Sequence, residues 1–439
     1  MNKERKHIVF LARWYPHRYD PMFGLFVQRH AEAAALFNDI TVIYCQPIEP
    51  QSRDASITPK KNELSVIDTS KHHNNASITP KKIEQYVIDT SKHHNNASIT
   101  PKKNELSVID TSKQKNFEIV RTLENNVDTI RIYYKKPKNK ILSLLRFYRA
   151  NMIGLKLCKS PVDLIHVHIL TRLGVVAWIQ KLLHKTPYII TEHWSRYLPG
   201  NDFGGFFRKL ATKIVVRNAK LVTTVTENLA KAMQNHGLKN DNYVVLPNVV
   251  NLDMFHISEK KNNTPCKIIH VSCFEDKSKN ISGLLESLKI VEKKGIDFQC
   301  TLIGDGMDFD LMKGKAVELQ LINKVSFTGL LEGQKLADEL ASGDFLVLSS
   351  NYENMPVVIL EALASGLPVV STNVGGIKEM IDETKGILVE PRNKEALAEA
   401  IIKMIETHND YDPNYLRKSV IEKYGYKSVG RFLDSIYNK

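Results

Sequence analysis

Two carboxylates, Glu353 and Glu361, stand on either side of a proline-led apolar run in the stretch YENMPVVILEA. Such a pair can serve as general acid and general base across one bond, which in glycoside-cleaving sites needs the two groups roughly 5 to 9.5 Å apart. It can equally be a loop glutamate and a helix-surface glutamate with unrelated tasks, and the E-x7-E spacing leaves both open. The wider run, FLVLSSNYENMPVVILEALASG, predicts a strand ending near Ser349, a polar loop holding Glu353, and a helix beginning at Pro356, whose missing N–H suits a first turn. Gly366 and Pro368 would close that helix. Glu353 then lies in a loop and Glu361 inside a helix, so different roles are expected of them.

Other residues able to do chemistry are scattered. Cys45, Cys158, Cys266, Cys273 and Cys300 show no C-x-x-C spacing and give neither a zinc ribbon nor a disulfide framework. The pairs His72-His73 and His93-His94 lack acidic or cysteine companions and read as incidental. The run DFD, Asp308 to Asp310, looks like a D-x-D metal motif. It stands where a helix should begin, however, and acidic residues suit a first turn through the helix dipole alone.

The elements that would position these residues alternate. HIVFLA, ITVIYC, DLIHVHI, YIITEH and LVTTVT read as short buried strands with helical stretches between, and KIIHVSC, FQCTLIG, VSFTG, FLVLS and LPVVST repeat the pattern. Two successive α/β units with parallel sheets follow. The hinge is expected near LPNVVN, Leu246 to Asn251, with a terminal helical stretch, Asn414 to Tyr437, free to pack back on the first unit. One segment breaks the alternation. ASITPKKNELSVIDTSKHHNN begins at Ala55 and returns at Ala76 and Ala97, a period of 21 with too little apolar surface per copy for a stacking solenoid. Residues 55–115 are therefore expected to be a low-order insertion in a loop, which costs little closure entropy.

Charge is divided unevenly. Residues 1–247 hold 38 Lys+Arg against 20 Asp+Glu, and the rest holds 23 against 28, within a total of +13. A basic half beside an acidic half suggests an anionic partner for the first unit. The basic run lacks interleaved aromatic motifs, so nucleic acid is not expected as that partner. With no apolar h-region near Met1 and no run of about 18 apolar residues, a cytoplasmic location is expected.

Six blocks, in order, carry a resemblance: TEHW (Thr191 to Trp194), VLPNVVNLDMF (Val245 to Phe255), VSCFEDKSKNISGLL (Val271 to Leu285), TLIGDG (Thr301 to Gly306), VSFTGLL (Val325 to Leu331) and YENMPVVILEALASGLPVVSTNVGGIKEMI. Together they resemble the retaining glycosyltransferases of family 4, over nearly the whole chain outside the repeats. The resemblance implies a GT-B fold: a Rossmann-like acceptor domain over 1–248, a nucleotide-sugar domain over 249–418, and a C-terminal helix, 419–439, returning to the first. It implies transfer of a hexose-type sugar from a nucleotide-sugar to a saccharide or lipid-linked acceptor in surface-polysaccharide synthesis, lipopolysaccharide included. The basic segment Tyr133 to Arg149 would then lie on the inner face of an anionic membrane.

By the same resemblance Glu361 would hold the ribose hydroxyls and Glu353 the hydroxyls of the transferred sugar. Backbone N–H groups of Asn354, Met355 and Val357 would face the sugar and diphosphate, with Pro356 between them offering none, and the base would rest near Leu330 and Leu331. Lys279 would neutralise the departing diphosphate, His193 would lie beside the donor sugar, and Gly24 would bring backbone close to the diphosphate ahead of a helix carrying Phe26 and His30. Neither metal nor cofactor is implied. The chain departs from the pattern at Cys273, where the family usually has arginine, and Lys277 is expected to supply the second cation. Two alternatives remain open: a sugar-nucleotide 2-epimerase of the same fold, and a nucleotide-sugar-binding protein with impaired catalysis.

Overall fold

The computed structural model describes residues 4–48, 107–114, 116–159, 161–199, 203–259 and 264–439. The first lobe opens with β1 (His7–Ala12), α1 (Leu25–Ala35) and β2 (Asp39–Pro47). A meander of β3 (Ser107–Gln114), β4 (Phe117–Glu124) and β5 (Val127–Tyr134) follows, and then α2 (Lys140–Leu157), β6 (Leu164–His168), α3 (Thr171–His184) and β7 (Tyr188–Glu192). The lobe ends with α4 (Phe206–Asn218), β8 (Leu221–Thr224), α5 (Glu227–Asn235) and β9 (Tyr243–Val245). These strands form one sheet in the order β3-β4-β5-β2-β1-β6-β7-β8-β9.

Period-two burial explains why the sheet is covered on both faces. Val9 and Leu11 of β1 pack with Phe147 of α2, Leu173 of α3 and Val215 of α4. Ile8 and Phe10 face the other way, with Val27 of α1 and with Leu433 and Ile436 near the C-terminus. Each such buried side chain contributes about 1.5–3 kcal/mol.

The second lobe runs β10 (Cys266–Val271), α6 (Asp276–Lys279), α7 (Ile281–Lys293), β11 (Phe298–Ile303), α8 (Phe309–Glu318), β12 (Val325–Gly329), α9 (Gln334–Ala341) and β13 (Phe345–Leu348). It continues with α10 (Val357–Ala364), β14 (Val369–Thr372), β15 (Gly386–Val389), α11 (Lys394–Thr407) and α12 (Pro413–Tyr424). All its strands are parallel, in the order β12-β11-β10-β13-β14-β15. The chain then crosses back: Val250 N–H donates to Tyr424 O at 3.0 Å, and α13 (Tyr426–Asn438) packs on α1.

Four expectations are corrected by these elements. Residues 55–106 of the insertion lie outside the described residues, but its last part is β3, paired antiparallel with β4. The first sheet is therefore mixed, and its β4–β5 hairpin turns at Asn125 and Asn126, both at positive φ, the backbone that a tight hairpin demands. The terminal stretch is two helices, broken at Gly425 because the chain must extend to pass between lobes; α12 stays on α10, so the return starts there and not at 419. Finally, Pro356 caps α10 with an extended ψ of 115°, and the helix itself starts at Val357. Among the described residues no helix is long and apolar enough to cross a membrane.

Candidate active site

The site gathers where parallel strands of both lobes end, the position at which open α/β sheets bind ligands. In the second lobe α6 is a single turn after β10, and it delivers Lys279 to the loop after β13. Lys279 Nζ donates to Glu353 Oε1 at 2.6 Å, and Ser350 Oγ donates to the same oxygen at 2.8 Å. Burial works against a charge on Lys279, yet Glu353, with Cys273 and Glu275 behind it, holds the lysine above its ordinary value.

Lys277 sits two positions earlier on the same turn, and residues so spaced diverge by about 200° around a helix. It is exposed, while its carbonyl accepts from Asn351 Nδ2 at 3.1 Å. Cys273 is exposed as well. The turn thus aims one lysine, not two, at the loop. Asp308, the first acid of DFD, accepts from Asp276 N–H at 2.8 Å and so fixes the start of α6.

The loop before α10 ties the lobes together. Asn354 Nδ2 donates to His193 O at 2.8 Å, and its Oδ1 accepts from Thr226 Oγ1 at 2.9 Å. Met355 is buried, with its carbonyl held by Asn248 Nδ2 at 3.2 Å. Gly375, at φ 58°, is pressed so near this loop that a Cβ there would meet Glu353 O at 1.9 Å, which explains the glycine of VGG. Glu361 points from α10 toward the first lobe, where Arg29 Nη1 of α1 donates to its Oε1 at 3.2 Å. Leu330 is exposed and Leu331 half-buried just past β12.

In the first lobe, Gly24 caps α1 at φ 72°, and a Cβ would lie 2.4 Å from the Trp14 carbonyl carbon. Only glycine lets this loop close on the end of β1. His193 follows β7; its ring packs against Phe26 at 4.6 Å, and its Nε2 meets His168 Nδ1 at 3.2 Å. His30 Nε2 donates to Pro247 O at 2.9 Å.

Burial lowers the pKa of His30 to about 4 and drives those of His168 and His193 well below the ordinary value, with neighbouring imidazoles adding to the shift for the latter two. All three are neutral near pH 7. Their ligand nitrogens lie within 4.8 Å of one another, so they are the group at this site that an ion would fit by distance. A second such group, Cys266, Asp344 and His408, lies at the far end of β10.

The sequence alone singles out none of His168, Arg29, Thr226 and Asn248 for a role at this site. Alternation in IHVHI gave the face of His168 but not its neighbour, because a contact between adjacent strands depends on their pairing.

Residues 253–423 match the family described as Glycosyl transferases group 1, and residues 100–254 match Glycosyltransferase Family 4. An uncharacterised glycosyltransferase of Methanocaldococcus jannaschii is 30% identical over 290 residues, 64% of this chain and 77% of that protein. A putative teichuronic acid biosynthesis glycosyltransferase of Bacillus subtilis is 28% identical over 249 residues, 54% of this chain and 60% of that one.

Among solved structures, sucrose-phosphate synthase from Thermosynechococcus elongatus superposes with a TM-score of 0.69 at 18% identity, covering 99% of this chain and 98% of its own. Anabaena HepE in complex with UDP-glucose superposes at 0.57 and 18% identity, over 70% and 85%. At these identities the structures speak for the fold.

Proposed function

The chain belongs to the family 4, group 1 glycosyltransferases with the GT-B fold, and on that premise we propose that it moves a hexose-type sugar, with retention, from a nucleotide-sugar to a saccharide or lipid-linked saccharide. The observation that carries this reading is the Lys279–Glu353 pair at the strand ends of one lobe, joined through Asn354 to His193 of the other. Negative charge builds on the diphosphate as the glycosidic bond breaks. A lysine kept protonated there favours the transition state over the bound donor. Lys279 fills that role without a metal ion.

Glu353, already oriented by Ser350 and Lys279, takes the hydroxyls of the transferred sugar. Glu361 takes the ribose through Oε2, since Arg29 occupies Oε1. His193 Nδ1 and Asn248 Oδ1 are buried next to each other, with the Asn248 side chain in hydrogen-bonding reach of the imidazole, and an entering sugar hydroxyl can bond to either. With Glu353 on the hydroxyl side, no protein nucleophile is assigned: the acceptor attacks the face from which the diphosphate leaves, and the leaving phosphate takes its proton. Positioning and electrostatics then supply the catalysis.

UDP-sugars are the first donors to test, because Anabaena HepE is solved with UDP-glucose. The Bacillus subtilis relative, described as acting in teichuronic acid biosynthesis, supports a surface-polysaccharide pathway. A peripheral seat on an anionic membrane is favoured by Phe206, Phe207 and Ile141, which are 75%, 84% and 70% exposed beside Arg208, Lys209 and Lys140.

Thermal stabilisation by a panel of nucleotide-sugars tests the donor; a ligand at 100 times its Kd adds about 2.7 kcal/mol. No stabilisation by any of them would sink the reading. Incubation with donor alone separates transfer, seen as slow hydrolysis, from epimerisation and from binding without turnover. Activity retained after exhaustive chelation supports the metal-free mechanism, and its restoration only by added metal would overturn it. Sedimentation with phosphatidylglycerol vesicles at low salt tests the membrane seat, and protein left in the supernatant would count against it.

A further inference from the structure

Three strands that are neighbours in the first sheet are each followed, within four residues, by an arginine. Arg13 directly follows β1, Arg172 lies in the first turn of α3 just after β6, and Arg196 lies in the short turn Ser195–Tyr197 after β7. The register sets Ala12 beside His168 and His168 beside Thr191, so the three segments that carry the arginines leave the sheet at the same end, from neighbouring strands. Arg13 N–H donates to His168 O at 3.2 Å, which pins the first to the second strand end.

Elsewhere in this lobe Arg18 pairs with Glu118, Arg29 with Glu361, Arg121 with Asp128 and Arg131 with Glu124, whereas Arg146, Arg149, Arg208 and Arg217, on the outer helices α2 and α4, show no carboxylate partner among the described residues. Among the described residues no carboxylate lies within ion-pair distance of Arg13, Arg172 or Arg196. Glu192 is the acid whose field reaches Arg196, and its oxygens are occupied by the N–H groups of Leu170, His193 and Trp194.

Arg196 Nε is buried without a hydrogen-bond partner, while its guanidinium lies 3.6 Å over the Trp194 ring. Trp14 stands 5.4 Å from Trp194, and Phe26 links Trp14 to His193. Arg13 reaches solvent, yet the protein around it, and then the field of Arg172 with a smaller one from Arg196, pull its pKa below the arginine value. Like charges gathered without a counter-charge destabilise the empty protein, and forked guanidinium groups match phosphate oxygens two at a time.

We infer that Arg13, Arg172 and Arg196 form an anion subsite on the acceptor wall, where they take a phosphate or diphosphate group of the acceptor while Trp14 and Trp194 pack against its sugar. This rests on the glycosyltransferase reading and adds the acceptor's chemical class to it. Lys279 faces the donor diphosphate from the other lobe, so the two anions have separate cations.

The test titrates inorganic pyrophosphate by calorimetry into protein saturated with UDP, using the wild type, the double variant Arg13→Gln/Arg172→Gln, and Lys279→Ala. The wild type and Lys279→Ala should bind pyrophosphate alike, and the double variant at least tenfold more weakly, with its UDP affinity intact as proof of folding. Without ligand the double variant should also melt higher, because the repulsion is gone. Pyrophosphate affinity within twofold of wild type in the double variant, or UDP affinity falling in parallel, would overturn the inference; the second result would assign the arginines to the donor.

Failure of UDP to bind the wild type would instead count against the nucleotide-sugar reading. Pyrophosphate lost in the double variant but not in Lys279→Ala would then still support the subsite. Farnesyl diphosphate binding more tightly than glucose 6-phosphate assigns the anion to a lipid diphosphate; the reverse order assigns it to a phosphorylated sugar.

Discussion

The two walls of the cleft meet their charges in opposite ways. On the second-lobe wall, Lys279 is bound to Glu353 and Glu361 to Arg29, and Glu379 accepts the N–H groups of Glu227 and Asn228 at the start of α5. On the first-lobe wall the imidazoles of His30, His168 and His193 are buried and neutral, and Arg13, Arg172 and Arg196 have no acidic partner within ion-pair distance among the described residues. A wall with its charges already paired is rigid before ligand arrives. A wall with unmet charge is completed by what binds there, and it trades stability for that fit.

Breaking the paired wall should have the largest effect. Lys279→Ala should lower kcat by about 10²–10³ or more, since it removes the cation at the leaving group and strands Glu353. Glu353→Ala should lower kcat more than it raises the donor KM. Steady-state kinetics with the identified donor checks both, and unchanged kcat in either variant would dissolve the contrast between the walls.

Acid should act on the other wall. The folded pKa of His30, about 4, lies below the unfolded value of about 6.5, so the unfolded chain takes up protons that the folded imidazole refuses. Stability is therefore full above about pH 6.5 and falls as pH drops toward 4, by up to about 3 kcal/mol for such a residue. His168 and His193 act in the same direction. Urea unfolding between pH 7.5 and 4.5 should show this slope, and His30→Asn should flatten it.

A smaller effect is expected where the walls touch. Glu361→Ala should raise the donor KM by about 10-fold, in keeping with about 1.5 kcal/mol for a hydrogen bond to a charged group, and change kcat little. Arg29→Ala should have a weaker effect of the same kind, because it removes the group that orients Glu361 and not the ribose contact. Equal losses in kcat and KM would reject this division of roles. Least of all should follow from deleting Ala55 to Asn96, two copies of the repeat, which should leave donor-induced stabilisation unchanged.

Legibility followed the range of the interactions. The strands HIVFLA, YIITEH, VSFTG and FLVLS could be read because apolar period and turn residues are local signals, and the order of six blocks was enough to indicate the family. The β4–β5 hairpin was missed although Asn125-Asn126 is a local turn signal, because the strand reading passed from ITVIYC to DLIHVHI and gave residues 117–134 no element. The break at Gly425 was missed because it answers to a crossing between lobes and not to a helical pattern.

By itself the sequence determined the alternation of strands and helices, the placement of Glu353 in a loop and Glu361 in a helix, and the basic balance of the first half. Those depend on residue type and near neighbours. The tertiary structure decided that Lys279 meets Glu353 while Lys277 turns to solvent, that Arg29 reaches Glu361 from the other lobe, and that the segments carrying Arg13, Arg172 and Arg196 leave neighbouring strands at the same end of the sheet. Each of these joins residues far apart in the chain, and only strand order, register and the meeting of the two lobes bring them together.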